Sequence, residues 1–252
     1  MHLLLTNDDG IQAVGLRAMY AALLEDGHRV SVVAPITEQS AVGHAVTVAS
    51  PLRVKEFRET DFHGYGVSGT PVDCVKMALT ALLPDTPDLV VSGINAGSNV
   101  GVDLLYSGTV SAATEAAFFG LKAIAVSHDD FNPKHLAGHA AYVTVIIAYI
   151  PWATLPEQCV MNLNFPACPV EEAKPLVLCR HTRAMYNDTY DQRIDSRGRA
   201  YYWLTGSISV DQISPDTDRA LLSAGHITLT PLCFDFTDHD TLARLADYRL
   251  GS

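Results

Sequence analysis

Short apolar, β-rich runs recur through the first half of the chain, and each gives way to a polar or glycine-bearing turn before a helix-like period begins. That alternation is the signature of βαβ units, and it confines the chain to a buried, mostly parallel sheet with helices on its faces. The first run, Leu3-Leu4-Leu5-Thr6, stops at Asn7-Asp8-Asp9-Gly10. Leu16, Met19, Tyr20, Leu23 and Leu24 then follow at the spacing of one helical face, until Gly27. A second run, 30–34, is closed by Pro35. Thr70-Pro71 reads as an N-cap with proline in the first turn, and Val72, Val75, Leu79 and Leu82 make an apolar face up to Pro84. Leu89-Val90-Val91 runs into Ser92-Gly93-Ile94-Asn95-Ala96-Gly97, Ser107-Gly108-Thr109 opens a small-residue helix ending at Gly120, and 123–126 is a further strand. The expected class is α/β, a doubly wound sheet whose ligands gather beyond the carboxyl ends of its strands.

Beyond about Pro166 the pattern changes to polar and aromatic pieces, with isolated strand-like segments such as 176–178 and 201–204. We expect a single domain over 1–252. Its core reaches about 166, and 167–252 form a β-rich C-terminal extension or arm, with strand 227–229 and a short helix near 242–248 returning to the core.

The chain has 252 residues, enough to bury a sizeable core, and its 48% apolar and 18% charged content is that of a globular protein. A formal charge of −11 repels nucleic-acid duplexes and offers no basic patch to anionic lipid. A small anionic substrate would therefore need a local positive centre, either a bound dication or a helix N-terminus. The five cysteines are scattered, odd in number and without a C-x-x-C pair, which suits neutral thiols in a reducing compartment. Residues 1–6 lack a signal-peptide pattern, and the most apolar stretch, 142–152, falls short of the roughly 20 residues that span a bilayer. The expected setting is cytoplasmic, with no membrane partner.

Asp8 and Asp9 follow an apolar strand directly, which puts two carboxylates at the rim of the sheet. So close together they repel unless a cation, a proton or hydrogen bonds offset the charge, although the same four residues also suit a plain Asx turn. Two further strand-end loops leave the sheet on the same edge. One, 38–44, offers the Ser40 hydroxyl and the His44 imidazole beside Gly43, and the other offers Asn95 among small residues. Taken one at a time, Ser40 and Asn95 are more often turn residues, and His44 reads equally as a structural loop histidine. The start of the 107–109 helix can cradle a phosphate with free backbone N–H groups, or it can be a simple cap. Carboxylate, hydroxyl and amide oxygens are hard ligands suited to magnesium, manganese or calcium rather than zinc. Phosphoester hydrolysis follows naturally from such a set.

These residues carry a resemblance. The chain resembles the SurE (survival protein E) nucleotidases in 4–11, in Val33-Ala34-Pro35 through Gln39-Ser40, in Gly69-Thr70-Pro71-Val72-Asp73-Cys74, in 92–97 and in Tyr106-Ser107-Gly108-Thr109-Val110. Weaker blocks continue at 162–166, 195–203 and 227–232, so the likeness runs in order over nearly the whole chain. It implies a Rossmann-like core and one divalent cation per subunit, Mg2+ or Mn2+ with Ca2+ as a crystal stand-in, on Asp8, Asp9, Ser40 and Asn95. It also implies phosphate or substrate contacts near Asn7, Gly43, His44, Ser107, Gly108 and Thr109. The expected reaction is hydrolysis of nucleoside 5′-monophosphates, with 3′-monophosphates a further substrate class, and Asp8 and Asp9 as the catalytic pair. The expected assembly is a homodimer or homotetramer exchanging C-terminal elements through the arm at 182–203. The chain departs from the family pattern at Ala13-Val14-Gly15 and Ala34-Pro35-Ile36, neither of which removes a ligand position.

Two rival readings have different needs. A metal-dependent deacetylase on a related core would want histidine ligands, and Asn7 stands where one is expected. A nucleotide-sensing binding module would bind without turnover. A dinucleotide oxidoreductase is poorly served, since Asn7-Asp8-Asp9-Gly10 replaces the glycine fingerprint with negative charge.

Overall fold

The computed structural model describes residues 1–246 and Tyr248. In chain order the elements are β1 (His2–Thr6), α1 (Val14–Glu25), β2 (Arg29–Pro35), β3 (Val54–Glu59), β4 (Phe62–Val67), α2 (Pro71–Met77), β5 (Leu89–Ala96), α3 (Gly108–Phe118), β6 (Lys122–His128), α4 (Leu136–Tyr149), β7 (Cys159–Phe165), β8 (Lys174–Leu178), β9 (Thr189–Ile194), β10 (Ala200–Thr205), α5 (Asp218–Ser223), β11 (His226–Cys233) and α6 (His239–Ala246). α6 stands near the helix expected at 242–248, but every one of its residues is exposed, so it does not return to the core as expected; position 247 lies outside the described residues.

The main sheet runs β3-β4-β2-β1-β5-β6-β7-β11-β8. Its six central strands, β4-β2-β1-β5-β6-β7, are parallel and follow the 3-2-1-4-5-6 order of a Rossmann-like doubly wound sheet. Alternation along β1 shows how the two faces are filled. Leu3 and Leu5 point to the side covered by Leu16, Met19 and Leu23 of α1 with Val143 and Ile147 of α4, and Leu4 points to the side covered by Cys74 and Val75 of α2 and the alanines of α3.

The helix starts obey local chemistry. Thr70 and Asp73 form a reciprocal capping box on α2, as Thr70-Pro71 foretold, and Ser107 caps α3 by accepting from the Val110 N–H at 3.1 Å. Asp73 does more than cap. It also accepts from the Thr47 N–H at 3.0 Å and the Thr47 hydroxyl at 2.6 Å, tying the segment after β2 to α2. Gly15 lets α1 lie against the end of β5, because a Cβ there would collide with the Ile94 carbonyl.

The C-terminal third joins the core more closely than its composition suggests. β11 pairs antiparallel with β7 and parallel with β8, so both strands extend the main sheet. The hairpin of β9 and β10 is a separate two-stranded sheet, with Tyr190, Ile194, Tyr202, Trp203 and Leu204 all exposed. Among the described residues no helix is long and apolar enough to cross a membrane, and the five cysteines are free.

His128, at the end of β6, is 2% exposed, and neither ring nitrogen has a hydrogen-bond partner among the described residues. Burial, then the neighbouring His139 ring 4.6 Å away, pushes its pKa down to about 4 from the ordinary 6.5. The unfolded chain therefore binds the extra proton first. The neutral ring's contribution is full above about pH 6.5 and is lost as pH falls toward 4, at most about 3 kcal/mol. We expect the melting temperature to drop through that window, and His128→Phe to flatten the drop. An unchanged pH profile in the variant would contradict the assignment.

Candidate active site

The site forms where the sheet reverses direction, with β1 flanked by β2 on one side and β5 on the other. Residues 7–10 leave β1 there in a turn that Asn7 closes from inside. Its amide donates to the Gly10 carbonyl at 3.0 Å, and its Oδ1 accepts from the Gly10 N–H at 3.2 Å. Asn7 is wholly buried, so its side chain shapes the loop.

Four backbone segments are then stitched around the aspartates. The Gln39 N–H donates to the Asp8 carbonyl at 2.8 Å, which brings the 38–44 loop over β1. The Ala96 N–H donates to Asp9 Oδ2 at 3.1 Å, which joins β5 across the switch point. The Thr109 hydroxyl donates to Asp8 Oδ1, and the Gly108 and Thr109 backbone N–H groups also favour its charged form. The Gly43 N–H donates to the Tyr106 carbonyl at 2.9 Å, closing the ring of loops.

Asp8 and Asp9 are short of positive charge. Burial pushes the Asp8 carboxyl up, against the opposing pull of its Thr109 hydrogen bond. Asp9 is pushed up to about 6, first by burial and then by Asp8, with Glu38 adding to it. No lysine or arginine among the described residues pairs with either one. Two half-satisfied carboxylates so placed have the electrostatics of a cation site.

A cleft of about 240 Å³ opens beside Asp8, and Ser40, Asn95 and Ser107 line it together. Asn95 donates its amide N–H to the Gly97 carbonyl at 2.6 Å, which leaves its Oδ1 without a protein donor among the described residues. Ser40 is exposed and donates to Glu38 at 2.6 Å. Asp9 does not itself line this cleft, but it is bonded to Ala96, which does. Carboxylate, hydroxyl and amide oxygens are hard donors that suit a divalent cation, although no group of three or more His, Cys, Asp or Glu comes together among the described residues.

The remaining positions have other partners. His44 Nε2 lies 2.8 Å from Glu115, a buried carboxylate of α3 that also holds Lys76, and its ring rests near Phe118. Gly43 takes a positive φ of +62° where the loop passes the Leu105 carbonyl. Gly108 packs on Asp8 itself, since a Cβ there would lie 2.7 Å from Asp8 Cβ and 2.9 Å from its Oδ2. The sequence reading passed over Glu115, Asp103 and Phe131. Asp103 lines the cleft and pairs with Arg219 of α5, whose neighbour Asp218 accepts from the Gly101 and Thr182 N–H groups, each at 2.8 Å. The loop before α3 is thus anchored to the base of the arm.

Comparison with known proteins finds relatives over nearly the whole chain. The family model described as survival protein SurE matches residues 3–188. A protein of Solidesulfovibrio magneticus named 5′-nucleotidase SurE is 62% identical over 251 residues, covering 100% of this chain and 98% of its own. A protein of the same name from Nitratidesulfovibrio vulgaris (strain DP4) is 60% identical, with 98% of both chains covered. The crystal structure of the SurE protein from Aquifex aeolicus superposes with a TM-score of 0.84 at 33% identity, over 97% of this chain and 98% of that one. With its paired aspartates at the switch point of a Rossmann-like sheet and these matches over nearly its full length, the chain belongs to the survival protein SurE family.

Proposed function

We propose that this chain is a 5′-nucleotidase, hydrolysing nucleoside 5′-monophosphates, and 3′-monophosphates as a second class, to nucleoside and phosphate. The observation that carries the reading is the Asp8–Asp9 pair, largely withdrawn from water, short of positive charge and beside a cleft that also holds Ser40, Asn95 and Ser107. The names of relatives at 60% identity or more support the same reaction.

In this reading Asp8, Asp9, Ser40 and Asn95 hold one divalent cation per subunit, Mg2+ or Mn2+. When bound, the cation supplies Lewis-acid polarisation of the phosphoryl group. Thr109 fixes the Asp8 carboxylate from one side and the Ala96 N–H fixes Asp9 from the other, so neither has to reorganise when substrate arrives. Ser107 and the start of α3 receive the phosphate, and Gly108 lets that helix approach closely. Asn7, Gly43 and His44 hold the surrounding loops in place. We further read 1–252 as one domain, acting in the cytoplasm as a homodimer or homotetramer built through the 182–203 arm.

The test is phosphate release from AMP in chelator, and then with manganese or magnesium restored. We expect activity to disappear with the metal and return with it. Turnover indifferent to chelator would remove the cation from the account, and AMP binding without turnover would favour a sensing module.

A further inference from the structure

Two largely exposed aromatic side chains border the cleft. Phe131, in the turn after β6, is 89% exposed, and Tyr106, the residue before Ser107, is 59% exposed. Both border the same cleft as Asp8 and Asn95. A scattered exposed aromatic needs no explanation, but two on the rim of one polar cleft do.

Neither ring sits on a loose backbone. The Phe131 turn is held by the Asp129 N–H donating to the Phe165 carbonyl at 2.8 Å, by the Ser98 hydroxyl donating to Asp129 at 2.6 Å, and by the Asn132 N–H donating to Asp130 at 2.9 Å. The ring lies over Gly97, where a Cβ would come within 2.9 Å of it, so the glycine makes room for the phenyl edge. Tyr106 is fixed through its N–H to the Asp103 carbonyl at 3.0 Å and through its carbonyl, which accepts from Gly43.

The size of the cleft decides what these rings can do. At about 240 Å³ it is smaller than the roughly 300–1,000 Å³ pockets that enclose whole small molecules. With the phosphate at Ser107 and Asp8, a nucleoside must project toward the mouth. There a flat base comes within reach of the two rings, and base–aromatic stacking is effective with any base because each has a π-face.

We infer that Phe131 and Tyr106 hold the nucleobase by stacking at the mouth of the cleft, and that they make nucleoside monophosphates better substrates than phosphomonoesters lacking a base. This rests on the proposed nucleotidase reading of the site.

The test compares kcat/KM for AMP with that for ribose 5-phosphate in the wild type, Phe131→Ala, Phe131→Trp and Tyr106→Ala. Loss of one stacking partner should lower the AMP to ribose 5-phosphate ratio about tenfold in either alanine variant, within the usual range for a base–aromatic contact, and mainly through the KM for AMP. Phe131→Trp should keep the ratio near that of the wild type. An unchanged ratio in both alanine variants, or an equal loss on both substrates, would overturn the inference. A wild type that releases phosphate from neither compound would instead overturn the nucleotidase reading on which it stands.

Discussion

Asp8→Asn should abolish phosphate release from AMP, with a loss of about 10³-fold, and yet leave the chain at least as heat-stable in chelator as the wild type. The two halves come from one cause. Asp8 is 5% exposed and its carboxyl is pushed above the usual range by burial, so without a counter-ion its charge costs stability. The amide of the replacement has nearly the same shape, and its oxygen can still accept from the Thr109 hydroxyl. The substitution also relieves Asp9, which Asp8 helps to push up to about 6. Function should suffer because a neutral amide holds a dication far more weakly than a carboxylate does, and removing one preorganised electrostatic group typically costs 10²–10³ in rate, with the upper end expected if Asp8 is a direct ligand. Phosphate release and a melt in chelator read the two halves separately. Retained turnover would sink the role of Asp8, and a collapsed fold would sink the claim that its charge is held at a cost.

The second large effect concerns a residue without a side chain. Gly108→Ala should lower activity about 100-fold with a stability loss of only about 1–3 kcal/mol. The new Cβ would sit 2.7 Å from Asp8 Cβ, 2.9 Å from Asp8 Oδ2 and 3.0 Å from Pro71 Cγ. Alanine is a good helix former, so α3 itself gains by propensity, and the strain falls on the contact between α3 and β1. A displacement of the aspartate by a few tenths of an ångström up to 1 Å would relieve it. That same shift spoils the geometry that Thr109 enforces on Asp8. A folded variant with undiminished kcat/KM would show that the contact between α3 and Asp8 does not set the site.

Much of the core was legible because its signals are local. β1, β2 and β6 were visible as apolar runs, α1 from its one-sided spacing, and α2 and α3 from Thr70 and Ser107, whose hydroxyls cap them. β5 was visible only to Val91. It runs on to Ala96 because Asn95 and Ala96 resume pairing with Ser127 and His128 of β6 after an irregularity past Ser92, where β1 ends, although their small and polar types read as loop. The β3–β4 hairpin was invisible for the opposite reason. Five of the six β3 residues are exposed, so no apolar alternation marks it. The places of β8 and β11 in the main sheet depend on pairings between residues about 50–70 positions apart, which no local pattern encodes.

The site divides in the same way. Asp8 and Asp9 announce themselves as adjacent charges after a strand, and the parallel order of β1, β2 and β5 makes their loops meet. The partners of each side chain were not readable. Thr109 looked like part of a cap or phosphate cradle, yet its hydroxyl serves Asp8, and His44 looked like a substrate contact, yet its ring is held by Glu115, two-thirds of the way along α3. Phe131 gave one faint signal, a lone aromatic in the polar turn after a central strand.

The account depends most on a single cation held jointly by these oxygens, and direct measurement of Mn2+ bound per chain, by calorimetry or by electron spin resonance of the free ion, tests it without relying on turnover. The prediction is one ion per chain, with affinity falling tenfold or more in Asp8→Asn and Asp9→Asn and by a smaller factor in Ser40→Ala and Asn95→Ala, as the charges lost would dictate. Binding that is equally tight in Asp8→Asn and Asp9→Asn, or no binding to the wild type at all, would contradict it.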